Sequence, residues 1–133
     1  MNKWISYIVY IAGVISSIIG YFLGEFDILL KGIICLAVLD YITGVLKAIY
    51  TKRLSSAIGV KGIVKKLAIF IAIAVANIIQ LILQNRIPLR ETILTFYIIN
   101  EAISILENLS QFISIPQKMK DVLLKMREDD ETY

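Results

Sequence analysis

Apolar residues run almost unbroken through three stretches of the chain, and the charges collect between and after them. The first stretch, 4–23, reads WISYIVYIAGVISSIIGYFL; the second covers 28–50 and the third 67–83. Each is close to the roughly 20 residues that an α-helix needs to cross a bilayer core. A fourth segment, 92–115, has the length but not the purity, because Asn100, Glu101, Glu107 and Asn108 interrupt it. Asn100, Ser104, Glu107, Asn108 and Gln111 recur at steps of three and four, so they line one side of a helix with Glu101 at its edge. Two readings stay open for it. It lies flat in the interface with its polar side in water, or it crosses with that side toward other protomers or an aqueous lumen. Beyond it, Pro116 suits the first turn of a new helix. The tail 116–133 that follows is charged and amphipathic, with Met119, Val122, Leu123 and Met126 on one side.

Composition turns these segments into a protein class. The 133 residues are 58% hydrophobic and 19% charged, with a mean hydropathy of +0.76. A water-soluble domain of this size cannot hide so much apolar surface, so the excess faces lipid. The expectation is an all-α integral membrane protein forming one membrane domain, 1–133. It has three to four transmembrane helices, a short cytoplasmic amphipathic C-terminal helix, and it assembles into a homo-oligomer. The apolar run at 4–23 is too long for a signal peptide core and reads as a retained anchor.

Charge sets the orientation. The connection 24–27 holds two acids and no base, whereas Lys47 to Lys66 holds six bases and no acid. The positive-inside rule puts the second connection, read as a basic loop over 51–66, in the cytoplasm. Its Lys52, Arg53, Lys61, Lys65 and Lys66 suit anionic lipid headgroups, and no nucleic-acid partner is implied. The C-terminus is then cytoplasmic if the fourth segment crosses, and external if it does not.

Candidate chemistry is sparse. There is no histidine and one cysteine, Cys35, so the chain has neither an internal disulfide nor a Cys/His metal set. No nucleophile–base pair or phosphate-binding glycine loop is present, which points away from an enzyme and from any cofactor. Gly13, Ser17 and Gly20 in the first helix and Gly44 in the second are small residues suited to close helix packing. Asp40, amid Leu, Val and Ile, is the anomaly. A charge at a helix centre costs about 2.5–3.5 kcal/mol on insertion scales, so it needs a partner. Lys47 lies two turns away, about 10.8 Å, too far for an ideal pair. The partner is expected on another helix, within the chain or on another protomer. Asp40, Asn100, Glu101, Ser104, Glu107 and Asn108 are the candidates for pore lining or contact between protomers.

Two blocks carry a resemblance. The run LDYITGVLKAIYTKRLSSAIGVKGIVKKL and the later NEAISILENLSQFISIPQKMK follow each other in the order and spacing of the toxin-secretion/phage-lysis holin family. The resemblance covers roughly 36–120; the first helix is matched only in kind. It implies a protein that oligomerises in the bacterial cytoplasmic membrane and forms a pore or lesion. A cargo without its own signal, a phage endolysin or a large toxin, then passes through. Two other classes fit parts of the pattern: a small proton-coupled multidrug-type transporter, and a membrane adaptor or antagonist of another holin. The transporter class carries its acid in the first helix, where this chain has none.

Overall fold

A computed structural model describes residues 2–131; the last two residues of the expected charged tail lie outside that range. Among the described residues the chain is entirely helical, in the order α1 (Lys3–Leu23), α2 (Ile28–Tyr50), α3 (Ser56–Ile82), α4 (Leu89–Leu109) and α5 (Gln117–Glu131). The first three are long and apolar enough to cross a membrane, and the protein is a multi-helix membrane protein.

The helix boundaries have local causes. Asp27 caps α2, its carboxylate accepting from the Leu30 N–H at 3.0 Å, and Ser55 caps α3 through the Ile58 N–H at 3.2 Å. Gly24 ends α1 with φ of 80°, and a Cβ there would stand 2.6 Å from Arg90 Nε. Both the backbone angle and the close approach call for glycine.

One boundary differs from the sequence expectation. The basic loop expected over 51–66 is a short turn over 51–55, and Ser56 already begins α3. Lys61, Lys65 and Lys66 are therefore helical residues. The apolar run begins at Leu67, but hydropathy marks where a helix enters lipid, whereas the Ser55 cap marks where it starts. The fourth helix is also shorter than 92–115, and the chain from 110 to 116 turns back toward α5.

The helix with the least apolar sequence among the first four is the best enclosed. α4 packs along α2 and α3, and α5 folds back onto it, while α1 touches mainly α3. At one end of the α2–α4 pair Arg90 meets Asp27, and toward the other Asn108 meets Asp40 and Thr43. The rings of Tyr50 and Phe112 touch beyond that, with centroids 5.1 Å apart. α4 thus runs parallel to α2 and alongside it. Leu30, Ile33, Ile69, Ile73 and Leu94 form a tight apolar core between α2, α3 and α4.

Candidate functional site

The partner that Asp40 requires is Lys66. Both the Asp40 and Glu101 carboxylates receive hydrogen bonds from the same Lys66 ammonium, joining α2, α3 and α4 in one ion-paired cluster. Glu101 is 1% exposed and Asp40 8%. The second Asp40 oxygen accepts from the Asn108 side chain at 3.1 Å, and that amide also donates to Thr43 Oγ1 at 3.1 Å. The Thr43 hydroxyl is free to accept because its own proton goes to the Leu39 carbonyl at 2.8 Å. Every member is tied to another helix or to its own backbone, as a polar group inside a membrane must be.

Helix periodicity explains why these side chains meet. Gly62, Lys66, Ile69, Ile73 and Asn77 recur every three or four residues along α3 and face the bundle, whereas Lys61 and Lys65 fall outside that stripe and are exposed. Gly62 admits the Tyr41 ring, which would lie 3.2 Å from a Cβ there. Lys66 was placed in sequence with the cytoplasmic basic loop; it is instead the interior cation of the cluster. Its register, not its charge, carried that information.

Two small cavities flank the cluster. One of about 190 Å³ lies between α2 and α3 and is reached by Asp40, Tyr41, Lys65, Ser104 and Asn108. The other, about 250 Å³, is lined by Asn100, Glu101, Ser104 and Glu107 of α4, Lys65 of α3 and Arg127 of α5. The polar stripe of α4 thus divides between the ion-paired cluster and this second cavity. Gly44 lies beside Asn108, 3.7 Å from a built Cβ. Lys52 and Arg53 stay exposed in the turn after α2. Gly13, Ser17 and Gly20 take no part: they sit on α1, Gly13 and Gly20 with nothing within 4 Å of a built Cβ, and Ser17 bonds back to the Gly13 carbonyl at 2.9 Å. Among the described residues no group of three or more His, Cys, Asp or Glu side chains is gathered as for a metal ion.

A second polar centre, at the opposite end of the bundle, was not anticipated. Arg90, 4% exposed, donates to the Leu23 carbonyl at 2.7 Å, the Glu25 carbonyl at 2.7 Å and the Asp27 carboxylate at 2.8 Å. The Arg90 hydrogen bond holds the Asp27 carboxyl below its ordinary value. Asn77 adds bonds to the Tyr21 and Phe22 carbonyls at 3.2 and 3.0 Å. These contacts fasten the end of α1 and the connection 24–27 to α3 and α4. The signal was present: Arg90, Leu94, Tyr97 and Glu101 occupy one helical stripe that points inward.

The geometry defines a small helical membrane protein built around a polar helix. The chain matches the bacteriophage holin family over residues 17–128, and it belongs to that family. It is 38% identical over 97 residues to a probable holin of Bacillus phage phi105, covering 72% of each chain. An uncharacterised protein of Listeria monocytogenes is 43% identical over 123 residues, covering 89% of this chain and 88% of the relative. An uncharacterised 14.9 kDa protein from the nagH 3′ region of Clostridium perfringens is 36% identical over 128 residues, covering 95% of this chain and 97% of its own. No solved structure gives a significant match.

Proposed function

We propose that the protein is a holin that oligomerises in the bacterial cytoplasmic membrane and opens a pore or lesion for a signal-less cargo protein, a phage endolysin or a large toxin. The observation that carries this reading is the polar stripe of α4, packed along α2 and α3 in a chain of the holin family. Asn100, Glu101, Ser104 and Glu107 supply a water-compatible wall that lipid does not. In the single subunit its two most buried acids, Asp40 and Glu101, share the Lys66 ammonium, so that neither is left without a partner while the chain accumulates in the bilayer. Assembly then brings the remaining polar positions of several subunits together around one path.

Expression of the chain alone tests the reading. A holin depolarises cells after a delay and releases a co-expressed cytoplasmic endolysin, and purified protein makes liposomes leak. Intact membrane potential and tight liposomes at full expression sink the proposal. Proton-coupled uptake that depends on Asp40 would revive the transporter reading. Silence alone, with delayed lysis by a second holin, would favour the antagonist. Asp40→Asn and Glu101→Gln shift the onset of depolarisation if the cluster controls assembly; parental timing in both variants would remove the carboxylates from the mechanism.

A further inference from the structure

α5 sits on the side of the subunit that assembly needs open. Its packing is against α4. Lys120 and Leu124 share a crevice with Ile103, Leu106 and Glu107. Arg127, two turns further along, reaches the cavity of about 250 Å³ that Asn100, Glu101, Ser104 and Glu107 line from α4. The four polar positions that α4 offers to other subunits therefore border a space that α5 already borders.

The hold of α5 on that side is slight. No described residue of α5 is buried. Lys120, Leu123, Leu124 and Arg127 are half-buried, and they recur at the three- and four-residue spacing of one helical side. Half of that side is basic, and it lies across from Glu101 and Glu107, while Lys65 of α3 borders the same cavity and opposes Arg127. The larger apolar residues Met119, Val122 and Met126 are exposed and add nothing to the grip on α4. Attraction between partly exposed charges is weak, and elements with few buried contacts are the first to open. α4, in contrast, is fastened to α2 and α3 through Asp40, Lys66 and Glu101, with Glu101 1% exposed. α5 is thus the element whose departure leaves the three-helix core intact.

We infer that α5 is an autoinhibitory strap: it covers the polar side of α4 in the single subunit and yields that side to a neighbouring copy of the chain as subunits crowd together. The inference rests on the holin reading and supplies its regulation. A tethered segment competes at an effective concentration on the order of millimolar. A neighbour displaces it only when its own density in the membrane approaches that level. Sparse subunits stay closed and crowded ones open, so the strength of the α5–α4 contact sets the density at which leakage begins.

Dye leakage from liposomes over a series of protein-to-lipid ratios tests this in the full chain. Lys120→Glu/Arg127→Glu turns the basic side of α5 against the acids of α4 and is expected to lower the threshold ratio roughly two- to tenfold. Lys118→Glu/Lys125→Glu makes the same change of charge on exposed positions and should leave the threshold at the parental value. In protein carrying Cys35→Ser, Ile103→Cys/Leu124→Cys is expected to close a disulfide that keeps liposomes tight at every ratio, and a reductant should restore leakage. A threshold unmoved or raised by Lys120→Glu/Arg127→Glu overturns the inference, as does an equal lowering by Lys118→Glu/Lys125→Glu. Leakage by the oxidised protein at the parental threshold overturns it too, and so does failure of the disulfide both here and in the Glu107→Cys/Lys120→Cys pair. Liposomes that stay tight with every form sink the holin reading and the inference together. Identical leakage from every form sinks the inference alone.

Discussion

α1 and α4 have the same length, 21 residues, and opposite fates. α1 carries no charge after Lys3 and contributes no buried residue among those described; α4 carries charges at both ends and in its middle and contributes six. In water the order would be reversed, because apolar surface would drive α1 inward. In lipid the tails are as apolar as leucine, so apolar surface gains nothing by leaving them, while polar groups have nowhere to go but inward. The contrast teaches that the least hydrophobic of the first four helices is the organising one here. Asp27, Asp40, Lys66, Arg90 and Glu101 do the sorting, and the apolar side chains fill the space between them.

The strongest test of that contrast is to remove the shared cation. Lys66→Ala leaves two acids buried together without a counter-charge and is expected to cost about 3–5 kcal/mol, read as a lowered melting temperature in detergent micelles. The triple variant Asp40→Leu/Lys66→Met/Glu101→Leu should recover most of that loss, since a buried ion pair often breaks even against apolar packing. Equal destabilisation by both would mean that the charges themselves, rather than their unpairing, hold the bundle.

A smaller effect separates packed from unpacked glycines. Gly62→Val drives a side chain into the Tyr41 ring and is expected to lose about 1–3 kcal/mol. Gly13→Val on α1 meets open space and should leave the monomer unchanged or slightly steadier through helix propensity. If Gly13→Val proves as costly in micelles, α1 is not peripheral in the single subunit.

The smallest expected effect concerns the Arg90 clamp. The folded-state value of Asp27 is depressed, so its contribution is fully present above the ordinary value of 3.8 and disappears as pH falls through the lower folded value. Because Asp27 is partly exposed, the contribution is about 1 kcal/mol. Melting curves of the parent should lose stability at that acid limit relative to Asp27→Asn, which lacks the titration. Parallel curves for the two proteins would show that the Arg90–Asp27 pair adds nothing measurable.

Much of the fold was legible because lipid-crossing helices announce themselves by length and apolarity, and the need of Asp40 for a partner on another helix followed from insertion cost alone. The identity of that partner was not read. Lys66 sits in a run of bases, and a run of bases reads as a loop until the three- and four-residue spacing is extended backward from Ile69 and Ile73. Arg90 was hidden differently, at the edge of the short connection before the fourth segment, where a base reads as a loop charge. The α4 stripe was visible at once, but its place beside α2 depended on contacts at both ends with that helix, which are pairings between distant residues and have no local signature. The fold-back of α5 depends on the turn over 110–116 and on α4 offering a groove, and neither can be read from the tail alone.

The clamp at the end of α1 has a consequence for how such a chain can change over generations. Arg90 and Asn77 grip main-chain carbonyls of Tyr21, Phe22, Leu23 and Glu25. A carbonyl is the same whatever side chain it belongs to. Apart from Gly24, whose shape the clamp requires, and Asp27, whose acid it uses, this corner can drift in spelling while its path through space stays fixed. Substitutions there are free to alter the side chains that this end of the bundle presents without loosening how the first helix is moored.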